Sequence, residues 1–192
     1  MLLHYLLASI GALLVAADFD IYLVMRQPPA RPPWTVGIIN WQFLDPNQNS
    51  CPDPAHTRLF NSHDDVSGNK IGVRCDSWGQ REHNGCYAGD DNDPANIDAM
   101  EMHLSDTPKF HYTIYKADEH GPPGRTARES QSRPFELLGL KGESAGWCVP
   151  VSWPQTGRPF GVCGNYRLFR KFQCHSFYTA DWINSYDRGW HP

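Results

Sequence analysis

Short hydrophobic segments alternate along this chain with polar segments rich in glycine, proline, asparagine and aspartate. The hydrophobic segments are rich in aromatic and β-branched residues, and this composition between turn-forming residues is typical of β-strands. They are residues 19–25, 34–43, 70–75, 99–104, 110–115, 135–140, 145–151, 160–163 and 166–174. A short helical pattern occurs at residues 179–186. We therefore predict an all-β fold, a sandwich or barrel of short antiparallel strands joined by long loops.

Residues 99–115 contain the clearest local pattern, which predicts a β-hairpin whose loop is centred on Thr107. In that register one face of the hairpin is wholly apolar and the other is polar. The apolar pairs are Leu104 with Phe110, Met102 with Tyr112 and Met100 with Ile114, and the polar pairs are His103 with His111 and Glu101 with Thr113. A shift of one residue would mix the two faces, so the pattern itself predicts the register.

The first seventeen residues contain no Asp, Glu, Lys or Arg, unlike the rest of the chain. An apolar run over residues 6–15 ends at Ala16 and Ala17, just before Asp18, which is the pattern of a secretory signal peptide. A membrane anchor is the alternative, but a spanning helix needs about 20 apolar residues, and this run is shorter and ends at acidic residues. We expect cleavage after Ala17, leaving residues 18–192 as one secreted β-rich domain without a membrane span.

Six cysteines lie downstream of this leader, and their number is even. They are Cys51, Cys75, Cys86, Cys148, Cys163 and Cys174. In an oxidising compartment such a set predicts three disulfides, and no two of these cysteines have the spacing of a zinc knuckle. Each bridge is expected to stabilise the fold by ~2–4 kcal/mol. The spacing leaves the connectivity open.

The formal net charge is -4, and removal of the leader does not change it. Such a charge does not predict a surface that follows nucleic-acid phosphates. The most basic segment, residues 166–175, interleaves cations with aromatics, a mixture that can bind RNA or anionic sugars. We interpret it instead as an exposed edge strand protected by its charge. Most of the seven tryptophans, eight tyrosines and nine phenylalanines are expected to fill the core.

The polar face of the predicted hairpin is the sharpest candidate for chemistry. His103, His111 and Glu101 would place two imidazoles and a carboxylate on adjacent strands. Such groups can act as general acid and base on a phosphodiester or glycosidic bond, or hold a metal ion. The competing interpretation, which is the more common situation, is the polar face of a half-buried hairpin.

An acidic segment offers a second candidate, because Asp90, Asp91 and Asp93 supply the oxygen ligands that calcium prefers. The segment lacks the glycine and glutamate positions of an EF-hand, so we favour a solvated turn and assign no cofactor. No Gly-x-Ser-x-Gly motif, phosphate-binding glycine loop or unpaired cysteine nucleophile is indicated. The motifs therefore lean against an enzyme without excluding one.

The chain has a leader through Ala17, cysteines from Cys51 to Cys174 and strand-like segments such as residues 110–116 and 170–174. In these features it resembles the small secreted cysteine-containing proteins of filamentous fungi, many of which are candidate effectors. The resemblance is to a class without a defining motif, and it assigns no catalytic residue. It implies release by a fungus, action in the host apoplast or on host cells, and binding of a host component.

Three function classes follow. The first is a non-enzymatic effector that binds a host protein or cell-wall glycan through loops at residues 44–69 and 117–134. The second is a secreted, ribonuclease-like hydrolase that uses His103, His111 and Glu101. The third is a carbohydrate-binding protein that stacks tryptophans on cell-wall sugars, with Trp34, Trp78, Trp153 and Trp182 as the candidates. The sequence leaves the host target and the oligomeric state open.

Overall fold

The computed structural model describes residues 17–26, 39–46, 48, 50–53, 56–77, 94, 97–105, 110–116, 135–151 and 161–185. Within these ranges the chain forms ten strands and one short helix, so the all-β prediction is confirmed. The strands are β1 (Ala17–Arg26), β2 (Ile39–Leu44), β3 (Phe60–Asn61), β4 (Gly72–Ser77), β5 (Ile97–His103), β6 (His111–Lys116), β7 (Phe135–Gly139), β8 (Ser144–Pro150), β9 (Gly161–Cys163) and β10 (Tyr166–Ser176), and the helix is α1 (Ala180–Ser185).

All ten strands belong to one antiparallel sheet in the order β3-β2-β1-β10-β8-β7-β6-β5-β4, with β9 paired to β10. The two ends of this order come together. Ser62, just after β3, forms a parallel bridge to Val73 in β4, and the amide of His63 donates to the Val73 carbonyl at 2.9 Å. The sheet is therefore a nearly closed barrel, which decides between the two predicted architectures in favour of the barrel.

The hydrophobic core lies inside this barrel, because alternate residues of each strand point inward. In β1, Phe19, Ile21 and Leu23 are buried in the core, while Asp18 lies on the other face. The remaining large core residues come from every side of the barrel: Trp41, Phe43, Phe60, Val73, Ile97, Met100, Met102, Leu104, Phe110, Tyr112, Ile114, Phe135, Leu137 and Phe172. Ala180 and Ile183 of α1 join the same core. The helix therefore packs against the barrel with its apolar side.

The predicted hairpin is confirmed in its register. In the β5–β6 pair Met100 lies opposite Ile114, Met102 opposite Tyr112 and His103 opposite His111. The amide of Leu104 donates to the Phe110 carbonyl at 2.9 Å, which closes the turn. All six apolar residues of the pattern are buried, as the alternation predicts: Met100, Met102, Leu104, Phe110, Tyr112 and Ile114.

Two disulfides are defined within the described residues. Cys51 bonds to Cys163 and so ties the segment after β2 to β9. Cys148 bonds to Cys174, its direct neighbour across β8 and β10, and both lie in the core. Cys75 is also disulfide-bonded, and Cys86 lies outside the described residues. The bridges are compatible with a secreted protein.

The interpretation of residues 166–175 as an edge strand is wrong. β10 pairs with β1 along its whole length and with β8 and β9 on its other side. Two of its cations, Arg170 and Lys171, tolerate this central position because the first is paired and the second is buried. Arg170 donates to the fully buried Asp20 at 2.6 Å, and Lys171 is 1% exposed. A basic strand is central here because β1, far away in sequence, supplies the carboxylate.

Residues 44–69, predicted as one long surface loop, contain more structure than expected. Phe60 in β3 and Val66 are fully buried, so parts of this segment pack on the barrel. Ile39–Leu44 confirms the second half of the strand predicted at residues 34–43, and residues 34–38 lie outside the described residues. Residues 1–16 also lie outside them, so the signal peptide and the domain boundary at Ala17 stay predictions. Among the described residues there is no helix with the length and hydrophobicity needed to cross a bilayer.

Candidate functional site

The structure brings His103, His111 and Glu101 together on the outer face of β5 and β6. The two imidazole rings stack with centroids 4.5 Å apart and planes inclined by 15°. His111 donates from Nε2 to Glu101 Oε1 at 2.9 Å. The hairpin register therefore produces the grouping that the sequence predicted.

Arg74 of β4 extends this group, and sequence reasoning missed it. Arg74 lies opposite Glu101 in the β4–β5 pair, and its Nη1 is 3.5 Å from Glu101 Oε2. Its Nη2 donates to both carboxylate oxygens of Asp76, at 2.7 and 3.0 Å. The Glu101 carboxylate thus lies between an imidazole and a guanidinium. Alternation within residues 70–75 could have placed Arg74 on the polar face, but nothing local indicated its neighbour.

His103 differs from His111 in its access to solvent. His103 is 2% exposed and donates from Nδ1 to the backbone carbonyl of Val66 at 2.9 Å. Val66 is itself fully buried. The segment between β3 and β4 therefore covers His103, and a hydrogen bond of this kind holds that segment in place by about 1 kcal/mol. A substrate at the outer face would meet His111 and Glu101 and would not meet His103.

These three residues do not form a metal site. Over the part of the chain that the structure describes, no group of three or more His, Cys, Asp or Glu side chains is arranged to hold a metal ion. Asp90, Asp91 and Asp93, the calcium candidates, lie outside the described residues.

A second histidine–carboxylate pair lies on the outer face of β1, β10 and β8, and no local sequence pattern indicated it. His175 Nδ1 donates to Asp18 Oδ1 at 3.0 Å, and the His175 ring lies 4.2 Å from the ring of Trp147. Gly146, with φ +139°, allows β8 to approach the β10 backbone closely, because a Cβ there would collide with the His175 carbonyl oxygen. Asp18 and His175 are neighbours only through the pairing of the first and last strands.

A third polar group on this face is enclosed. The ion pair of Asp20 with Arg170 lies beside Tyr22, which is 1% exposed. Burial, reinforced by the Asp20 carboxylate and opposed by the Arg170 guanidinium, raises the pKa of Tyr22 to about 12. Because Asp20 and Tyr22 are shielded from water, they offer no accessible chemistry.

Exposed aromatic residues collect at one end of the barrel, where β10 leads into α1. Phe177 is 58% exposed and Trp182 is 38% exposed. Tyr178 links them, with its ring centroid 4.3 Å from Phe177 and 4.8 Å from Trp182. We call Phe177, Tyr178 and Trp182 the aromatic end surface. Of the four tryptophans proposed to stack on sugars, Trp182 is the one that lies within the described residues.

The position of Trp182 is set by the short helix. Thr179 caps the helix, since its Oγ1 accepts a hydrogen bond from the Trp182 amide at 3.1 Å. Asn184 is buried and donates from Nδ2 to the Phe43 carbonyl at 2.8 Å, while its Oδ1 accepts from the Arg58 amide at 2.9 Å. The helix is therefore tied both to β2 and to the segment before β3. Sequence reasoning did not single out Asn184, because its partners are distant in the chain.

Polar groups lie beneath and beside the aromatic end surface. Tyr112 is buried with its ring 4.8 Å from Tyr178. Burial, together with a hydrogen bond to Tyr178 and the negative charge of Glu143, raises the pKa of Tyr112 well above its ordinary value. Gly139, opposite Tyr112 in the β6–β7 pair, leaves the space that the Glu143 carboxylate occupies. The surface thus combines exposed rings with hydroxyl and carboxylate groups.

Comparisons of this chain with protein-family models, curated proteins and solved structures find no match.

Proposed function

We propose that this protein is a secreted, disulfide-stabilised, effector-like protein that acts by binding a host or extracellular component, and that it is not an enzyme. The observation that carries the proposal is the contrast between its exposed aromatic end surface and its enclosed polar groups. Clusters of exposed aromatic residues on a folded domain commonly mark binding sites. Asn184 and the buried Phe110 anchor this surface to a nearly closed, disulfide-bonded barrel.

The hydrolase alternative has weaker support. It requires two histidines to act on one substrate, and His103 is covered by the segment that contains Val66. The carboxylate of Glu101 already contacts His111 and Arg74. This arrangement is that of a hydrogen-bonded network on the outside of a barrel, where the polar groups stabilise the packing of β4, β5 and β6.

To test the proposal, the full chain is expressed in a secreting eukaryotic host and recovered from the medium. The protein is incubated with cell walls and extracellular fluid from candidate hosts, and separately with RNA and polysaccharides to detect released products. A paired variant, Phe177→Ser with Trp182→Ser, is compared with a matched outer-face variant, His111→Ala with Glu101→Gln.

We expect binding to fall by about tenfold or more in the aromatic variant, because truncation of an aromatic hot-spot residue costs about 2 kcal/mol or more. The outer-face variant should bind as the original protein does, and no reaction product should appear. Product release that the outer-face substitutions abolish would replace the proposal with the hydrolase.

A further inference from the structure

We infer that the aromatic end surface is a binding site for a neutral polysaccharide, whose sugar rings stack on Phe177 and Trp182. This inference rests on the proposed function, since it names the chemical class of the component that is bound. It depends on four features of the described residues: the packing that holds the rings, the polar groups around them, the balance of charge and the size of the rings.

The exposed rings are held in place by other rings. The Trp182 ring meets Phe110 nearly at a right angle, 84°, with centroids 5.4 Å apart. Phe110 is buried and belongs to the core. Tyr178 is held in turn by the buried Tyr112. A ligand that stacks on these rings therefore finds them already ordered, and the loss of side-chain entropy on binding is small.

The surroundings of the rings suit a sugar. A pyranose ring has apolar C–H faces and a rim of hydroxyl groups, so it needs an aromatic face with hydrogen-bonding groups beside it. Carboxylates are strong acceptors for hydroxyl donors. Asp181, next to Trp182 in the first turn of α1, is exposed, and so is Glu143 in the turn between β7 and β8.

The charge of this end of the barrel favours a neutral ligand. Among the described residues at this end, Asp181 and Glu143 are acidic, and Lys141 in the β7–β8 turn and Arg58, which is bonded to Asn184 of α1, are basic, so the charges balance. Anionic polysaccharides and nucleic acids are attracted by clusters of Lys and Arg, which these described residues do not provide. Glucans and chitin carry no charge and need no such cluster.

The size of the described rings also suits a sugar. An aromatic side chain buries roughly 150–250 Å² at most. A stack of one or two sugar rings needs no more than the three described side chains supply.

The experiment uses the full chain recovered from the medium of a secreting host. Insoluble cellulose, chitin and β-1,3-glucan are the neutral probes, and polygalacturonate is the anionic one. The variants are Phe177→Ser, Phe177→Tyr and Trp182→Ser, with Val162→Ser on β9 as the control, because Val162 is an exposed apolar residue outside the surface. Thermal unfolding of each variant shows whether it is folded.

We expect retention on at least one neutral polysaccharide, with an affinity about tenfold lower in Phe177→Ser and Trp182→Ser. Phe177→Tyr keeps an aromatic face and should bind normally, as should Val162→Ser. Phe177 is the more decisive position, since its large exposure means that its replacement leaves the core intact.

Retention on none of the neutral probes, or retention that Phe177→Ser leaves unchanged, overturns the inference, as does binding to polygalacturonate alone. If an extracellular protein is bound through Phe177 and Trp182 in the absence of glycan binding, the inference fails and the proposed function stands. Cleavage of a probe that His111→Ala abolishes would overturn both.

Discussion

Two regions meet at the β5–β6 hairpin. The outer-face group consists of His103, His111 and Glu101 on the hairpin itself, and the aromatic end surface packs against the hairpin. The two regions differ in what they present to solvent. In the first, residues with reactive side chains are bonded to each other or covered. In the second, residues with unreactive side chains are exposed and held in fixed positions. The difference shows that residue type indicates which chemistry is available, whereas burial and hydrogen bonding decide whether a ligand can use it.

This contrast originates in the closure of the barrel. The meeting of β3 with β4 positions the intervening segment so that the Val66 carbonyl reaches His103. Within the described part of the chain no such segment covers Phe177, which lies beyond the last paired residue of β10 and is more than half exposed. The closed barrel thus has a covered histidine on its wall and exposed aromatic rings at its end.

The largest expected effect comes from removing His103. His103→Ala deletes a buried ring and leaves the Val66 carbonyl without its donor, so we expect a loss of about 2–4 kcal/mol in the free energy of unfolding. His111→Ala, the matched change on the half-buried partner, should cost about 1 kcal/mol or less. Urea denaturation with the disulfides intact measures both. Equal losses in the two variants would contradict the distinction between a covered and an accessible histidine.

A smaller effect is expected at the base of the aromatic end surface. Because burial and the bond to Tyr178 raise the pKa of Tyr112, its contribution to stability is complete below about pH 10 and is lost as the pH rises above that value. Tyr112→Phe should cost about 1 kcal/mol at pH 8 by removing that hydrogen bond.

Above pH 10 the free energy of unfolding of the original protein should fall faster than that of Tyr112→Phe, by about 1.4 kcal/mol per pH unit. Plotted against pH, the free energies of unfolding of the two proteins should therefore become equal near pH 11. Denaturation at a series of alkaline pH values measures this. Parallel curves would mean that Tyr112 ionises normally, and the surface would then lack the rigid base that preorganised binding requires.

The smallest effect is expected in the segment that covers His103. Asp65 accepts hydrogen bonds from the Lys70 amine and, at 2.8 Å, from the Ser67 amide, and these hold the pKa of the carboxyl below its usual range. The stabilising contribution is therefore present above about pH 4 and is lost as the pH falls. Because Asp65 is exposed, solvent screens the contribution.

Asp65→Ala should accelerate hydrogen exchange at the Ser67 amide and leave global unfolding nearly unchanged, which NMR and denaturation measure together. Asp64→Ala, the same change at the neighbouring exposed aspartate, serves as the control. A global loss as large as that of His103→Ala would mean that the exposed turn, and not the buried imidazole, holds the segment in place.

Prediction from the sequence succeeded where both partners of an interaction are close in the chain. The β5–β6 register followed from apolar and polar residues that alternate across one short turn, and it placed Glu101, His103 and His111 on one face. Prediction failed for β10, whose cations favoured an edge strand, because the carboxylate of Asp20 lies 150 residues from Arg170. No local pattern carries information about a partner at that separation.

Alternation, turn residues and paired cysteines were enough to specify strands, a hairpin and a cross-linked β domain, since each depends on neighbours along the chain or on composition. Long-range pairing decided the rest. It joined Asp18 to His175 through β1 and β10, enclosed His103 beneath Val66, and fixed α1 through Asn184 so that Trp182 is exposed. Burial is a property of the closed barrel as a whole, and for that reason only the tertiary structure distinguishes a histidine that supports the fold from an aromatic ring that can meet a ligand.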